Sequence, residues 1–426
     1  VDTASLEVQW VFQCDRKENT IIHNVFEWNN EQLAFVGQIE KENRDYDYWF
    51  GILSRNGTLV ADLHYGGTMR DVALSGGRNK FGGAYLAGFS WSQDGNVLDR
   101  SKQPPNIWTL ILNQHGKLIR DITIGGDKED YATCVSPTQD GGFVVGGVTH
   151  SEALSGKAKF YGNIYVMKVD FAGNVEWYRT FSHPYDDEPR SVIQTTFGNY
   201  LMVGYRYDEK QNTQFWLAKL NGKGETIFEK WWDEGILDEL ADAVECSDGG
   251  FLLIGTAYHN QRNSPYVKGR ADLWAIRISP QGDIVWKQTF GGPDNEKGVS
   301  VVRIGSNRYI LLGEKENHFN PEKRSYQEDF WFVKVEEMPC SALKPYFVMD
   351  AYDFRVKPGR PVKFINKSVS GDRWLWDFGD GTTSTEHSPV KIYFNEGAYL
   401  IRLTVFKNET CKETYLQQNP LLVTPY

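Results

Sequence analysis

Phe215-Trp216-Leu217-Ala218-Lys219-Leu220 is one copy of a segment that keeps returning along the chain. The other copies are Tyr48-Trp49-Phe50-Gly51-Ile52-Leu53, Ile107-Trp108-Thr109-Leu110-Ile111-Leu112, Ile164-Tyr165-Val166-Met167-Lys168-Val169, Leu273-Trp274-Ala275-Ile276-Arg277-Ile278 and Phe330-Trp331-Phe332-Val333-Lys334-Val335. Their aromatic anchors lie 59, 57, 51, 58 and 57 residues apart. A self-similar period of about 50 residues that reads as several strands is the mark of a propeller or a solenoid.

Working outward from the anchor, each unit resolves into four strands. A glycine turn follows the Trp strand, as in Arg55-Asn56-Gly57 or Gly222-Lys223-Gly224, where a hairpin needs positive φ. A second, alternating strand comes next, for example Asp283 to Phe290. A loop, often with a double glycine (Gly66-Gly67, Gly125-Gly126, Gly291-Gly292), leads to a strand of small residues such as Asp71 to Ser75. An Asp-Gly-Gly type hairpin then opens an apolar strand closed by glycine: Leu33–Gly37, Ala84–Gly88, Phe143–Gly147, Tyr200–Gly204, Phe251–Gly255 and Tyr309–Gly313. Strands converge at a propeller axis, so the small-residue strand is expected innermost and the alternating one outermost. The sixth unit lacks an outer strand, and Glu7 to Phe12 resembles the missing piece. The chain therefore reads as all-β: a six-bladed β-propeller over 1–338, closed by its N-terminal strand so that no sheet edge stays open.

Composition bounds the function. The chain has 426 residues, 40% hydrophobic and 14% aromatic, which is enough for a core without a disulfide framework. Its net charge is −10 and it has no basic run, which argues against nucleic acid. No stretch of about 18 apolar residues is long enough for a membrane-spanning helix. Val1 is no initiator Met, so the chain reads as a processed product, and a lipid anchor upstream of Val1 is compatible with it. Cys14, Cys134 and Cys246 fall in or beside expected strands and read as small buried residues. Cys340 and Cys411 lie outside the repeats and are expected to pair, which would imply an oxidising compartment.

After Pro339-Cys340 the pattern changes. The run Trp374-Leu375-Trp376-Asp377-Phe378-Gly379-Asp380-Gly381, followed by His387-Ser388-Pro389 and Tyr393 to Val405, closely resembles a PKD domain. That resemblance implies an immunoglobulin-like β-sandwich over 339–426, an extracellular module that spaces domains or binds surfaces. Short strands between Gly, Asp and Pro turns agree with it. Asp377 and Asp380 are expected to shape the turn rather than hold a metal. The repeat half resembles propellers of secreted or surface proteins of the Bacteroidota, which often come joined to PKD modules.

Enzyme motifs are absent: there is no H-E-x-x-H, no G-x-S-x-G and no P-loop, so no catalytic residue, metal site or cofactor is assigned. His183 beside Asp186 and Asp187 lacks the spacing of a zinc site. The loops between apolar and Trp strands are long and carry Trp91, Arg100, Tyr161, Tyr258, His259, Arg262, Tyr266, His318 and Tyr326, with Tyr205 and Tyr207 beside them. Aromatic and Arg side chains are the usual anchors of binding surfaces, and aromatics stack on sugars. The inter-unit loops are acidic (Asp127, Glu129, Asp130; Asp186, Asp187, Glu188; Asp233, Glu234, Asp238, Glu239; Asp294, Glu296) and would gather at the channel mouth. An Asp just before the inner strand is expected to cap free backbone amides there, with a cation or basic partner as the functional alternative. The leading expectation is a non-enzymatic binding or scaffold protein at the cell surface, a subunit of an outer-membrane-associated protein assembly. A carbohydrate-binding surface protein and a glycoside hydrolase or lyase are the alternatives.

Overall fold

The computed structural model describes residues 11–425 except 13, 15, 43–44, 99–104, 156–160, 234–236, 259–270, 293, 321–324, 338–342, 370 and 408–410. Two compact units emerge. The larger comprises Val1–Gly282, Gln288–Ile304 and Tyr309–Lys334; the smaller comprises Asp283–Lys287, Gly305–Arg308 and Val335–Tyr426.

Antiparallel sheets succeed one another along the repeats. The first is β1 (Thr20–Asn29), β2 (Gln32–Glu40), β3 (Tyr46–Ser54) and β4 (Leu59–Tyr65). The second is β5 (Asp71–Arg78), β6 (Ala84–Ser90), β7 (Asn106–Leu112) and β8 (Leu118–Ile124). The third is β9 (Asp130–Pro137), β10 (Phe143–Thr149), β11 (Asn163–Val169) and β12 (Val175–Phe181), with one helical turn, α1 (Glu152–Ser155), in its loop. The fourth is β13 (Asp187–Gln194), β14 (Tyr200–Tyr207), β15 (Thr213–Leu220) and β16 (Thr226–Trp232). The fifth is β17 (Leu237–Glu245), β18 (Phe251–Tyr258), β19 (Ala271–Ile278) and β20 (Ile284–Phe290), joined to the fourth by one parallel bridge, Thr213 to Leu237. Among the described residues the last sheet has three strands: β21 (Asn295–Arg303), β22 (Arg308–Asn320) and β23 (Ser325–Glu336). Of the expected Glu7 to Phe12 strand only Val11 and Phe12 are described, and neither is in a strand.

The inner strand of each sheet packs on the next, β1 on β5, β5 on β9, β9 on β13, β13 on β17 and β17 on β21. The middle strands are covered on both faces; β7, β10 and β11 are buried throughout. Outer strands such as β4 alternate between exposed and covered positions. Trp49, Trp108 and Trp216 are fully buried anchors, and each indole N–H donates to a carboxylate on the adjacent outer strand: Asp62 (2.8 Å), Asp121 (3.3 Å) and Glu229 (2.8 Å). Truncating such an anchor costs about 3–5 kcal/mol. Strand β1 is absent from the sequence reading because it lacks the small residues of its counterparts; Ile21 and Val25 stand exposed on it.

The second unit carries β24 (Phe347–Met349), β25 (Arg355–Val356), β26 (Pro361–Asn366), β27 (Arg373–Asp377), β28 (Thr383–Ser384), β29 (Val390–Ile392), β30 (Gly397–Tyr399), β31 (Arg402–Phe406), β32 (Lys412–Leu416) and β33 (Leu421–Val423). Phe347, Phe364, Trp376, Phe378, Leu403 and Val405 form its core. The Asp377–Gly381 turn is a structural device. Asp377 accepts from the Gly379 N–H at 3.0 Å, Asp380 accepts from the Thr382 N–H at 3.0 Å, and Lys391 pairs with Asp380 at 2.7 Å. Cys411 is buried in this core and disulfide-bonded; Cys340 lies outside the described residues. Cys14, Cys134 and Cys246 are free thiols.

Candidate functional site

The site is built from one recurring irregularity. In each inner strand the pairing register slips by one residue opposite the glycine that closes the apolar strand. The residue left over is His23, Leu74, Thr133, Arg190, Ala241 or Val299. Such a β-bulge bends the strand and re-aims a side chain. It also pushes a carbonyl toward the neighbouring strand. A Cβ at Gly88, Gly204 or Gly255 would collide with the carbonyl oxygen of Val72, Glu188 or Glu239. The closing glycine of the repeat is therefore the mark of the bulge.

Three residues before the bulged residue each inner strand, β1 excepted, carries a buried acid at its first or second position: Asp71, Asp130, Asp187, Asp238 and Glu296. Asp71 accepts from the Gly67 N–H at 2.8 Å, Asp130 from Gly126 at 2.9 Å and Glu296 from Gly292 at 3.0 Å. A Cβ at Gly66, Gly125 or Gly291 would run into this carboxylate and the polar residue that opens the Trp strand, Asp47, Asn106 or Asp272. The double glycine makes room for a carboxylate, and the carboxylate caps the crossover amides. Asp130 and Glu296 of the acidic loops are thus structural.

The crossover from the third to the fourth sheet departs from this rule. His183 stands where three other crossovers have their second glycine, Gly67, Gly126 and Gly292. It hydrogen-bonds Asp187 through Nδ1 and Glu229 through Nε2 at 3.0 Å. Burial alone would lower its pKa, but the two carboxylates outweigh burial and push it up to about 9.

Beyond the buried acids the fourth to sixth sheets assemble a cluster of opposite character. Arg190, on its bulge, pairs with Glu188 at 2.9 Å, approaches Glu239 to 3.9 Å and lies 5.2 Å over the Tyr205 ring. The Tyr205 hydroxyl donates to Glu188 at 3.0 Å, and Tyr207 packs edge-on against Tyr205. Lys297 pairs with Glu316 at 3.5 Å. A cavity of about 290 Å³ opens among Arg190, Glu239, Thr256, Tyr258, Lys297 and Glu314. Burial first, then the Glu188 charge, raises the Tyr205 hydroxyl far above its ordinary range. Desolvation likewise raises the Glu239 carboxyl, with Arg190 opposing it. Below the cluster Asp242 staples three inner strands, accepting from Ser191 at 2.8 Å and Ser300 at 2.7 Å.

Of the anchors expected from sequence, Tyr205, Tyr207 and Tyr258 come together here. Tyr161 packs edge-on against Tyr185, and Trp91 is half-buried, its backbone N–H donating to the Arg70 carbonyl. Arg100, His259, Arg262 and Tyr266 lie outside the described residues, as do the side chains of His318 and Tyr326. Sequence reasoning missed Arg190, Lys297 and Glu314. The signal for Arg190 was its place three residues after Asp187, where the other repeats carry Leu74, Thr133, Ala241 or Val299. Among the described residues no group of three His, Cys, Asp or Glu is arranged to hold a metal ion. No helix among them is long and apolar enough to cross a membrane.

Comparison with known proteins places a PKD domain at residues 345–419. Collagenase ColQ1 of Bacillus cereus (strain Q1) is 54% identical over 41 residues, 10% of this chain and 4% of that protein. The pre-pro-metalloprotease PrtV of Vibrio cholerae serotype O1 is 27% identical over 135 residues, 30% of this chain and 13% of that protein. The chain thus spans only a small fraction of the length of the curated relatives it matches. Among solved structures, the β-propeller domain of the Trilobed protease from Pyrococcus furiosus covers 86% of this chain and 97% of its own, at 10% identity and a TM-score of 0.39.

Proposed function

We propose that this is a non-enzymatic binding or scaffold protein of the bacterial cell surface, of the kind the Bacteroidota carry. It would be a subunit of an outer-membrane-associated assembly that docks its partner on the loop end of the inner strands. The observation that carries this reading is the open cavity lined by Arg190, Glu239 and Tyr258, with Glu188, Tyr205 and Tyr207 clustered about Arg190. Tyrosine and arginine supply large contact area with polar tips, the composition of binding hot spots. A rigid frame of bulged strands holds them, which lowers the entropy lost on docking.

The six sheets would be the blades of a propeller spanning about residues 1–338, the N-terminal segment completing the last blade. Phe12 supports this by stacking at 5.9 Å on Phe35 of the first sheet, as Trp177 of the third sheet packs on Tyr200 of the fourth. The PKD domain would act as spacer or second contact. An extracellular location is supported by the PKD match and by the disulfide at Cys411, whose partner we assign as Cys340 because the other three cysteines are free.

The test is gentle detergent extraction of the native envelope followed by mass spectrometry of what co-purifies. A stoichiometric envelope protein, lost when Tyr207 and Tyr258 become Ala, is expected. Recovery of the chain alone from intact envelopes would overturn the assembly reading.

A further inference from the structure

We infer that the cavity beside Tyr258 receives a cationic side chain, an ammonium or guanidinium, from a basic segment of a partner protein. This rests on the binding reading above and deepens it by naming what the same site recognises.

The charges around the cavity do not balance locally. Arg190 is neutralised by Glu188 at 2.9 Å and Lys297 by Glu316 at 3.5 Å, both partners standing outside the cavity lining. The lining itself carries Glu239 and Glu314, which share Arg190 and Lys297 with those outer carboxylates, so four carboxylates face two cations. The cation paired with Glu239 is Arg190, at 3.9 Å, and among the described residues no hydrogen-bond donor reaches either carboxylate. A partly desolvated carboxylate without donors is costly, and a bound cation relieves that cost. An anionic or purely apolar guest would deepen it.

The neighbouring site shows the recognition chemistry at work. Arg190 lies over the Tyr205 ring while Glu188 holds its guanidinium, a ring-plus-carboxylate seat for a cation. Tyr258 with Glu239 and Glu314 repeats those elements around an open volume of about 290 Å³. The net charge of −10 would steer a basic partner toward the surface, and the cavity would select the side chain.

The test uses the full chain and a fluorescent hexa-arginine peptide, read by anisotropy at low salt. A hexa-glutamate peptide and a neutral chito-oligosaccharide serve as alternatives. Glu239→Gln with Glu314→Gln is expected to weaken hexa-arginine binding about tenfold, while Lys297→Ala tightens it, a gain that misfolding would not produce. Glu31→Gln with Glu413→Gln removes the same charge from exposed positions elsewhere and is expected to leave binding unchanged. Equal loss in that control would mean diffuse attraction and would overturn the inference. So would absence of hexa-arginine binding, or a Tyr258-dependent preference for the oligosaccharide. Capture of an envelope partner that survives Glu239→Gln with Glu314→Gln would leave the binding reading standing and remove this one. The expected peptide pattern with no envelope partner would do the reverse.

Discussion

At the hairpin end of the inner strands, the buried Lys168 is held by Asp140 at 2.7 Å and Glu176 at 3.1 Å, and Arg277 by Asp248 at 2.5 Å. At the loop end, Glu239 and Glu314 stand on an open cavity with no donor among the described residues. The hairpin-end cation recurs in the third, fourth and fifth sheets as Lys168, Lys219 and Arg277. Even the glycines there serve the cations, since a Cβ at Gly142 or Gly250 would crowd Lys168 or Arg277. The loop end recurs only as far as the buried acids and the bulges, and then each sheet differs. Closely paired, repeated charge is architecture; loosely paired charge at positions that vary from copy to copy marks a surface meant for something else.

Four sets of substitutions break or sharpen that contrast. The largest effect is expected at the hairpin end. Asp140→Ala with Glu176→Ala strands the Lys168 ammonium and should lower unfolding free energy by about 3–5 kcal/mol in urea titrations. Adding Lys168→Met should recover most of the loss, because an apolar side chain needs no counter-charge. Next comes the shared frame. Gly204→Ala drives a methyl into the Glu188 carbonyl and should cost up to about 3 kcal/mol, read as a lowered urea midpoint with unchanged slope.

His183 ranks third. Its folded pKa, about 9, lies above the unfolded value of 6.5. The stability it adds is therefore complete below pH 6.5 and disappears as pH rises through 9. His183→Gly restores the second glycine of the pattern and should be less stable by about 2 kcal/mol near pH 6. The difference should vanish above pH 10, and a constant gap across that range would show that packing, not charge, is involved. The smallest effect belongs to the loop end. Glu239→Gln should change stability by under about 0.5 kcal/mol, because Arg190, 3.9 Å away, keeps the closer Glu188 as its partner. A loss as large as that of the Asp140 variant would erase the distinction between the two ends.

Much of the frame can be read in the residues. The Trp anchors, hairpin glycines and apolar strands announce themselves by period, and the acid that recurs at the start of inner strands points to the capping role seen at Asp71, Asp130 and Glu296. Strand β1 escaped because Ile21, Val25 and Phe26 replace the small residues that define its counterparts. The binding cluster was half legible. Tyr205, Tyr207 and Tyr258 stand out as aromatics beside loops, whereas Arg190 is silent until the register slip is known. A bulge is a property of two paired strands, so its re-aimed side chain has no periodic signature in either one alone. The meeting of Arg190, Glu239 and Lys297 depends on three separate sheets, and no local pattern encodes it.

The bulges have a further consequence for how such a chain diversifies. His23, Leu74, Thr133, Arg190, Ala241 and Val299 are each left without an opposite number in the pairing ladder. The glycine facing each bulge already absorbs the backbone displacement, whatever the side chain. These six positions therefore behave like characters in a short code written on a fixed page. A library randomised only there would sample many recognition surfaces while leaving the scaffold that displays them intact.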